Sequence, residues 1–155
     1  MRQIPTVLIA LAFTAFFSSC TKDDNDTTPP VIALIEPADD DTLFIGHEVH
    51  LDMELSDDVK LKSYKIDIHS NLDGHDHTKS ATANASWSFS KAWDVSELRN
   101  TDVHHHEIVV PTEINGVPIA AGDYHFAVYC TDEAGNESKV IIDVVVGVGV
   151  PDEDE

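Results

Sequence analysis

Tyr124-His125-Phe126-Ala127-Val128-Tyr129-Cys130-Thr131 is the stretch whose reading decides the fold. Tyr124, Phe126, Val128 and Cys130 make one side of it, and His125, Ala127, Tyr129 and Thr131 the other. Successive side chains of an extended chain point to opposite faces, so a period of two marks a strand with one face in a core. The same period recurs upstream. Val49, Leu51, Met53 and Leu55 alternate with polar residues between Glu48 and Leu55. Tyr64, Ile66 and Ile68 do so between Leu61 and His69, and Trp87, Phe89 and Trp93 share a side further on. Val31 to Ile35, His106 to Val110 and Val140 to Val146 are β-branched runs with turn residues or prolines nearby. Seven such segments predict an all-β chain, an immunoglobulin-like antiparallel β-sandwich of about seven strands. Only Val95 to Thr101 leaves room for a helical turn, with Asp94 or Ser96 as its cap. Ser70 to Ser86 has no apolar periodicity, and a loop of that length often carries function.

The first residues address the compartment. Met1-Arg2 is basic, Ile4 to Phe17 is apolar, and Phe17-Ser18-Ser19-Cys20 follows. A short apolar segment with these flanks reads as a cleavable secretory signal, too short to span a membrane. Small residues leading into a cysteine resemble a bacterial lipobox, with Phe17 where leucine is usual. That resemblance implies cleavage before Cys20 and lipid attachment at Cys20, hence an anchor in a membrane. Thr21-Lys22-Asp23-Asp24-Asn25-Asp26 is similar to the lipoprotein export signal of Bacteroidota-type bacteria, which implies an outer membrane lipoprotein exposed at the cell surface. The expected organisation is 1–19 signal peptide, 20–30 lipidated cysteine and disordered acidic tether, 31–148 sandwich, and 149–155 acidic tail. With Cys20 committed to lipid, Cys130 has no intramolecular disulfide partner, and its place on an apolar strand face predicts a small buried hydrophobe.

Charge and histidine content bound the chemistry. The formal net charge is −20, which argues against nucleic acid, whose binding rests on Lys and Arg at phosphates. It suits attraction of cations. The chain holds 9 histidines. His69 precedes Ser70-Asn71-Leu72-Asp73-Gly74-His75-Asp76-His77, so imidazoles and carboxylates crowd one short tract. His75 and His77, two apart, point the same way in extended chain. If the third and sixth expected strands are antiparallel neighbours, His69 ends one beside His125 at the start of the other, with Cβ atoms about 5 Å apart. His69, His75, His77 and His125 are therefore the expected metal ligands, enough for a tetrahedral Zn or a tetragonal Cu or Ni centre. His104 and His106 share a side of their strand and are the second choice, as a separate site or as additions to the first. His47 and His50 fall on opposite faces and make a poor pair.

Two stretches resemble bacterial immunoglobulin-like domains: Ser56 to Tyr64, and Ala121-Gly122-Asp123-Tyr124 through Asp132-Glu133-Ala134-Gly135-Asn136. A narrower likeness rests on His69 to His77, on His104-His105-His106-Glu107-Ile108 with Pro111, and on Gly122-Asp123-Tyr124-His125-Phe126. On these residues the mature chain resembles the lipoprotein family called domain of unknown function 4625. The resemblance implies a fold and a location and no mechanism.

Calcium is the lesser expectation. Asp24-Asn25-Asp26 ahead of Thr28-Pro29-Pro30 resembles a cadherin-type calcium linker, and Asp57, Asp58, Asp132 and Glu133 fall in turns that can meet at one end. The acids look dispersed along the chain, as solvated turns are. Catalysis has no motif: there is no phosphate-binding glycine loop, nucleophile elbow or H-E-x-x-H. The sequence therefore predicts a non-enzymatic, surface-anchored lipoprotein that binds a transition metal for capture or handover, with a neighbouring transporter or surface protein as partner. The alternative is a structural or adhesive module that binds protein or glycan without metal.

Overall fold

The computed structural model describes residues 26–71 and 84–151. Among them are ten strands and no helix: β1 (Val31–Glu36), β2 (Thr42–Phe44), β3 (Glu48–Ser56), β4 (Leu61–Ser70), β5 (Ser88–Asp94), β6 (Asn100–Val109), β7 (Glu113–Ile114), β8 (Val117–Pro118), β9 (Gly122–Asp132) and β10 (Glu137–Gly147). A three-stranded sheet has the order β1-β3-β6, and a five-stranded sheet the order β2-β10-β9-β4-β5. The seven expected strands are all present. The three additional ones span two or three residues each, too few for a period to show. β7 and β8 form a hairpin across Asn115-Gly116, both at positive φ, as a two-residue type I′ turn requires. β2 runs parallel to β10, so the five-stranded sheet is not purely antiparallel. β6 starts at Asn100, so the end of the segment with room for a helical turn is strand instead.

The two sheets enclose one core. Leu51, Met53, Leu55 and Ile108 from the smaller sheet face Ile66, Ile68, Phe126 and Val128 from the larger, none more than 1% exposed. Each such side chain stabilises the fold by roughly 1.5–3 kcal/mol relative to leaving it in water. Phe126 is buried, so the alternation of β9 turns His125 outward. Tyr124 fixes the entry to the strand: its hydroxyl donates to the Ala120 carbonyl at 3.1 Å and accepts the Trp87 amide at 3.2 Å. This is the tyrosine corner of immunoglobulin-like sandwiches. Cys130 is fully buried, and burial, then Asp57 and Asp132, push its thiol up to about 11. A thiol that resists ionisation packs and does not attack.

The ordered part of the chain begins before the expected boundary at residue 31. Residues 26–30, assigned to a disordered tether, rest on the sandwich: Thr28 Oγ1 is 3.3 Å from Asp58 Oδ2, and Ser138 Oγ donates to the Pro30 carbonyl at 2.5 Å. The expected signal segment 1–19, Cys20 and the acidic residues 152–155 lie outside the described residues.

Candidate metal centre

β3 and β6 are antiparallel neighbours, with Asp52 opposite His104 and Leu51 opposite His105. The register then slips: Val49 faces Ile108, so the single residue His50 stands across from both His106 and Glu107. Such a bulge re-aims side chains locally. His50, His104 and His106 all lie on the solvent side of the smaller sheet, because Val49, Leu51 and Met53 take the core side. His50 Nε2 is 3.3 Å from His104 Nδ1. His50 and His106 stack with ring centroids 4.6 Å apart, and His104 and His106 are 5.6 Å apart. One ring nitrogen from each of the three lies within 4.8 Å of the others.

These distances suit a metal. Nitrogens bound tetrahedrally to zinc at 2.0–2.1 Å are about 3.3–3.4 Å from one another. The His50 to His104 separation already has that value. His104 and His106 are exposed, so small ring rotations can close the third edge. His50 Nδ1 is 2.8 Å from Glu36 Oε2. Glu36 comes from β1, opposite Asp52 in register, so it reaches His50 from the strand alongside. A carboxylate on one imidazole nitrogen orients the ring and leaves the other nitrogen for the ion. Glu36, Pro37, His47, His50 and His106 border an open cleft of about 630 Å³, room for a fourth ligand from solvent or a partner.

Two of the first-choice histidines, His69 and His125, occupy the other face of the molecule. β4 and β9 pair so that His69 stands opposite His125, with ring centroids 5.4 Å apart and perpendicular. His69 Nδ1 is 2.9 Å from Asp67 Oδ1, and His125 Nε2 is 3.3 Å from Asp143 Oδ1. Among the described residues, neither histidine belongs to a set of three side chains whose ligand atoms all lie within 4.8 Å of one another. His75 and His77 lie outside the described residues. His104 and His106 do not join His69 and His125, since the two sets sit on the outer faces of opposite sheets.

The comparisons give a family and leave the chemistry open. The model of a family described as a domain of unknown function (DUF4625) matches residues 18–146. The chain belongs to this family. No curated protein matches it. Membership in domain of unknown function 4625 assigns no activity, so the site must be argued from its own residues.

His50 escapes a reading of this family member's sequence because its partners are about fifty residues away. Judged against His47 it is on the wrong face; judged across the β3–β6 ladder it is central. Glu36 was equally invisible. The middle residue of the histidine run has a different role. His105 points inward, with Nε2 at 3.1 Å from the Tyr64 hydroxyl and its ring 5.0 Å from Trp93. Burial, assisted by Lys91, His106 and His104 and opposed by Glu107, lowers its proton affinity. The Tyr64 hydroxyl is held protonated by burial and by Glu107. Folding thus favours neutral His105. Its contribution to stability is complete above the unfolded histidine value near 6.5, drains as pH falls from there, and levels off below the folded value. In EDTA, the urea midpoint of the wild type is expected to fall more steeply below pH 6.5 than that of His105→Gln. Parallel profiles would contradict this placement of His105.

Proposed function

We propose that the chain is a surface-anchored lipoprotein whose sandwich holds one transition metal ion at His50, His104 and His106, for capture or handover. The observation that carries this reading is three imidazole nitrogens within 4.8 Å on two adjacent strands, one of them backed by Glu36. An all-imidazole set favours Zn, Cu or Ni over ions that want oxygen. Three protein ligands on an open face leave at least one position free. An ion held this way can pass to an incoming ligand by exchange, which suits handover to a neighbouring transporter or surface protein better than storage. The net charge of −20 raises the local concentration of cations. Binding, not catalysis, is the role.

The test is metal analysis of protein purified without a histidine tag, followed by zinc titration. About one equivalent of Zn, Cu or Ni is expected. A metal-free protein whose melting is unmoved by added Zn, Cu or Ni would favour the structural or adhesive alternative.

The anchor rests on Ser18-Ser19-Cys20 and the following Lys22-Asp23-Asp24. Cys20→Ala is expected to move the protein from the membrane pellet to the soluble fraction, because no diacyl group can be attached. Retention in the pellet after a carbonate wash would contradict the lipid anchor. Alanine at Lys22, Asp23 and Asp24 should preserve the anchor and lower protease accessibility on whole cells; unchanged accessibility would remove the surface assignment.

A further inference from the structure

A second cluster lies at the opposite end of β3. Asp26, Asp57 and Asp58 each place a carboxylate oxygen within 4.8 Å of the other two. Asp57 and Asp58 follow β3, and Asp26 precedes β1. Asp57 lies seven positions beyond His50, about 23 Å of extended strand, so the two clusters cannot share an ion.

Acidic turns are ordinary, and the deciding feature is Asp57. It is only 9% exposed. Its Oδ1 accepts the Val59 amide at 2.9 Å and the Lys60 amide at 2.7 Å. Its Oδ2 is buried and has no hydrogen-bond partner. A carboxylate oxygen removed from water and left without a donor is costly, and native folds seldom keep one. A bound cation would remove the cost.

We infer that Asp26, Asp57 and Asp58 bind calcium and thereby fasten the acidic tether to the sandwich. Calcium takes oxygens at 2.3–2.6 Å, so oxygens on opposite sides of one ion are about 4.6–5.2 Å apart. Three carboxylate oxygens that all lie within 4.8 Å of one another can therefore reach a single calcium ion. The donor set is all carboxylate, which suits a hard ion better than the metals that suit the histidines. Waters complete the shell of six to eight.

The surroundings hold the ligands in place. Asp132 is fully buried and acts as the frame: Oδ1 accepts the amides of Gly135 and Asn136 at 2.5 and 2.7 Å, and Oδ2 accepts the Asn136 side-chain amide at 2.7 Å. That same amide nitrogen donates to the Asp26 carbonyl at 3.2 Å. Asp26 Oδ1 accepts the Thr28 amide at 3.0 Å. Arg99 donates to the Asp58 main-chain carbonyl. Asp26 is six residues beyond Cys20. An ion shared between Asp26 and the β3 turn would stiffen the junction between anchor and domain, and set how far and in what direction the histidine face stands from the membrane.

The test is thermal melting and calorimetric titration of the detergent-solubilised protein in EDTA, then in CaCl2 or MgCl2. One calcium per chain is expected, with a rise in Tm on the order of 10 °C at free calcium a hundredfold above Kd. Asp58→Asn and Asp26→Asn, both outside the strands, should melt near the wild type in EDTA and lose most of the rise. Asp57→Asn should lose all of it, and the two other variants carry the test if it does not fold. His50→Ala should keep the full calcium response, which separates this site from the histidine centre. No shift with CaCl2 in the wild type, an equal shift with MgCl2, or a wild-type shift in both Asp26→Asn and Asp58→Asn would overturn the inference.

Discussion

Phe126→Ala is expected to lower the unfolding free energy by about 3–5 kcal/mol, the usual cost of removing a buried aromatic ring. Phe126 is fully buried near the start of β9, with Ile68 opposite on β4 and Ile142 opposite on β10. Strands on both sides prevent β9 from collapsing into the space. The loss therefore combines the transfer of the ring with an unfilled cavity. Ile141→Ala is the matched control: Ile141 is 49% exposed on the outer face, and its loss should cost under about 1 kcal/mol. Urea denaturation of both variants in EDTA measures the contrast. Equal costs would mean that β9 is one residue out of register, and His125 would then face the core.

The second large effect is on metal affinity. His50→Ala, and separately His104→Ala, is expected to weaken zinc binding by at least about a hundredfold, or roughly 2.7 kcal/mol. Each removes one of three imidazoles that lie together. Glu36→Gln keeps the shape and removes the charge that orients His50, so a loss of about 10–100-fold is expected. His47→Ala should change little, since His47 packs against Phe44 and lies outside the ligand group. The paired change His69→Ala with His125→Ala should also leave zinc affinity near wild type, although these were the residues first expected from sequence. Titration calorimetry on tag-free protein reads all five. A hundredfold loss in the His69 and His125 variant, with none in His50→Ala, would move the centre to the larger sheet.

pH separates the two kinds of site. Imidazole binds metal only when neutral, whereas a carboxylate binds as its anion, and imidazole is the stronger base of the two. Calcium binding at the β3 turn should therefore outlast zinc binding as the solution is acidified.

The sandwich was legible because each long strand has one buried face, and burial writes a period of two into the residues. β9 and β4 could even be paired by eye, which set His69 beside His125. What could not be read was pairing between distant strands. β3 and β6 are about fifty residues apart, and nothing local to His50 says that His104 and His106 will lie across from it. β6 also hides its own extent. A strand judged to begin at His106 in fact begins at Asn100, because the polar run His104 to Glu107 breaks the apolar alternation on which the reading depends. The bulge opposite His50 then moves the register by one, a shift that no periodicity reveals. The acidic cluster was obscured in the same way: Asp26 was assigned to a tether, whereas Asn136 and Thr28 hold it against the turn after β3.

The most direct measurement is anomalous diffraction at the zinc edge from crystals of tag-free protein grown with one equivalent of zinc. The account predicts a single strong peak bonded to His50, His104 and His106 at about 2.0–2.1 Å. A peak between His69 and His125, or no ordered zinc on the β3–β6 face, would contradict it.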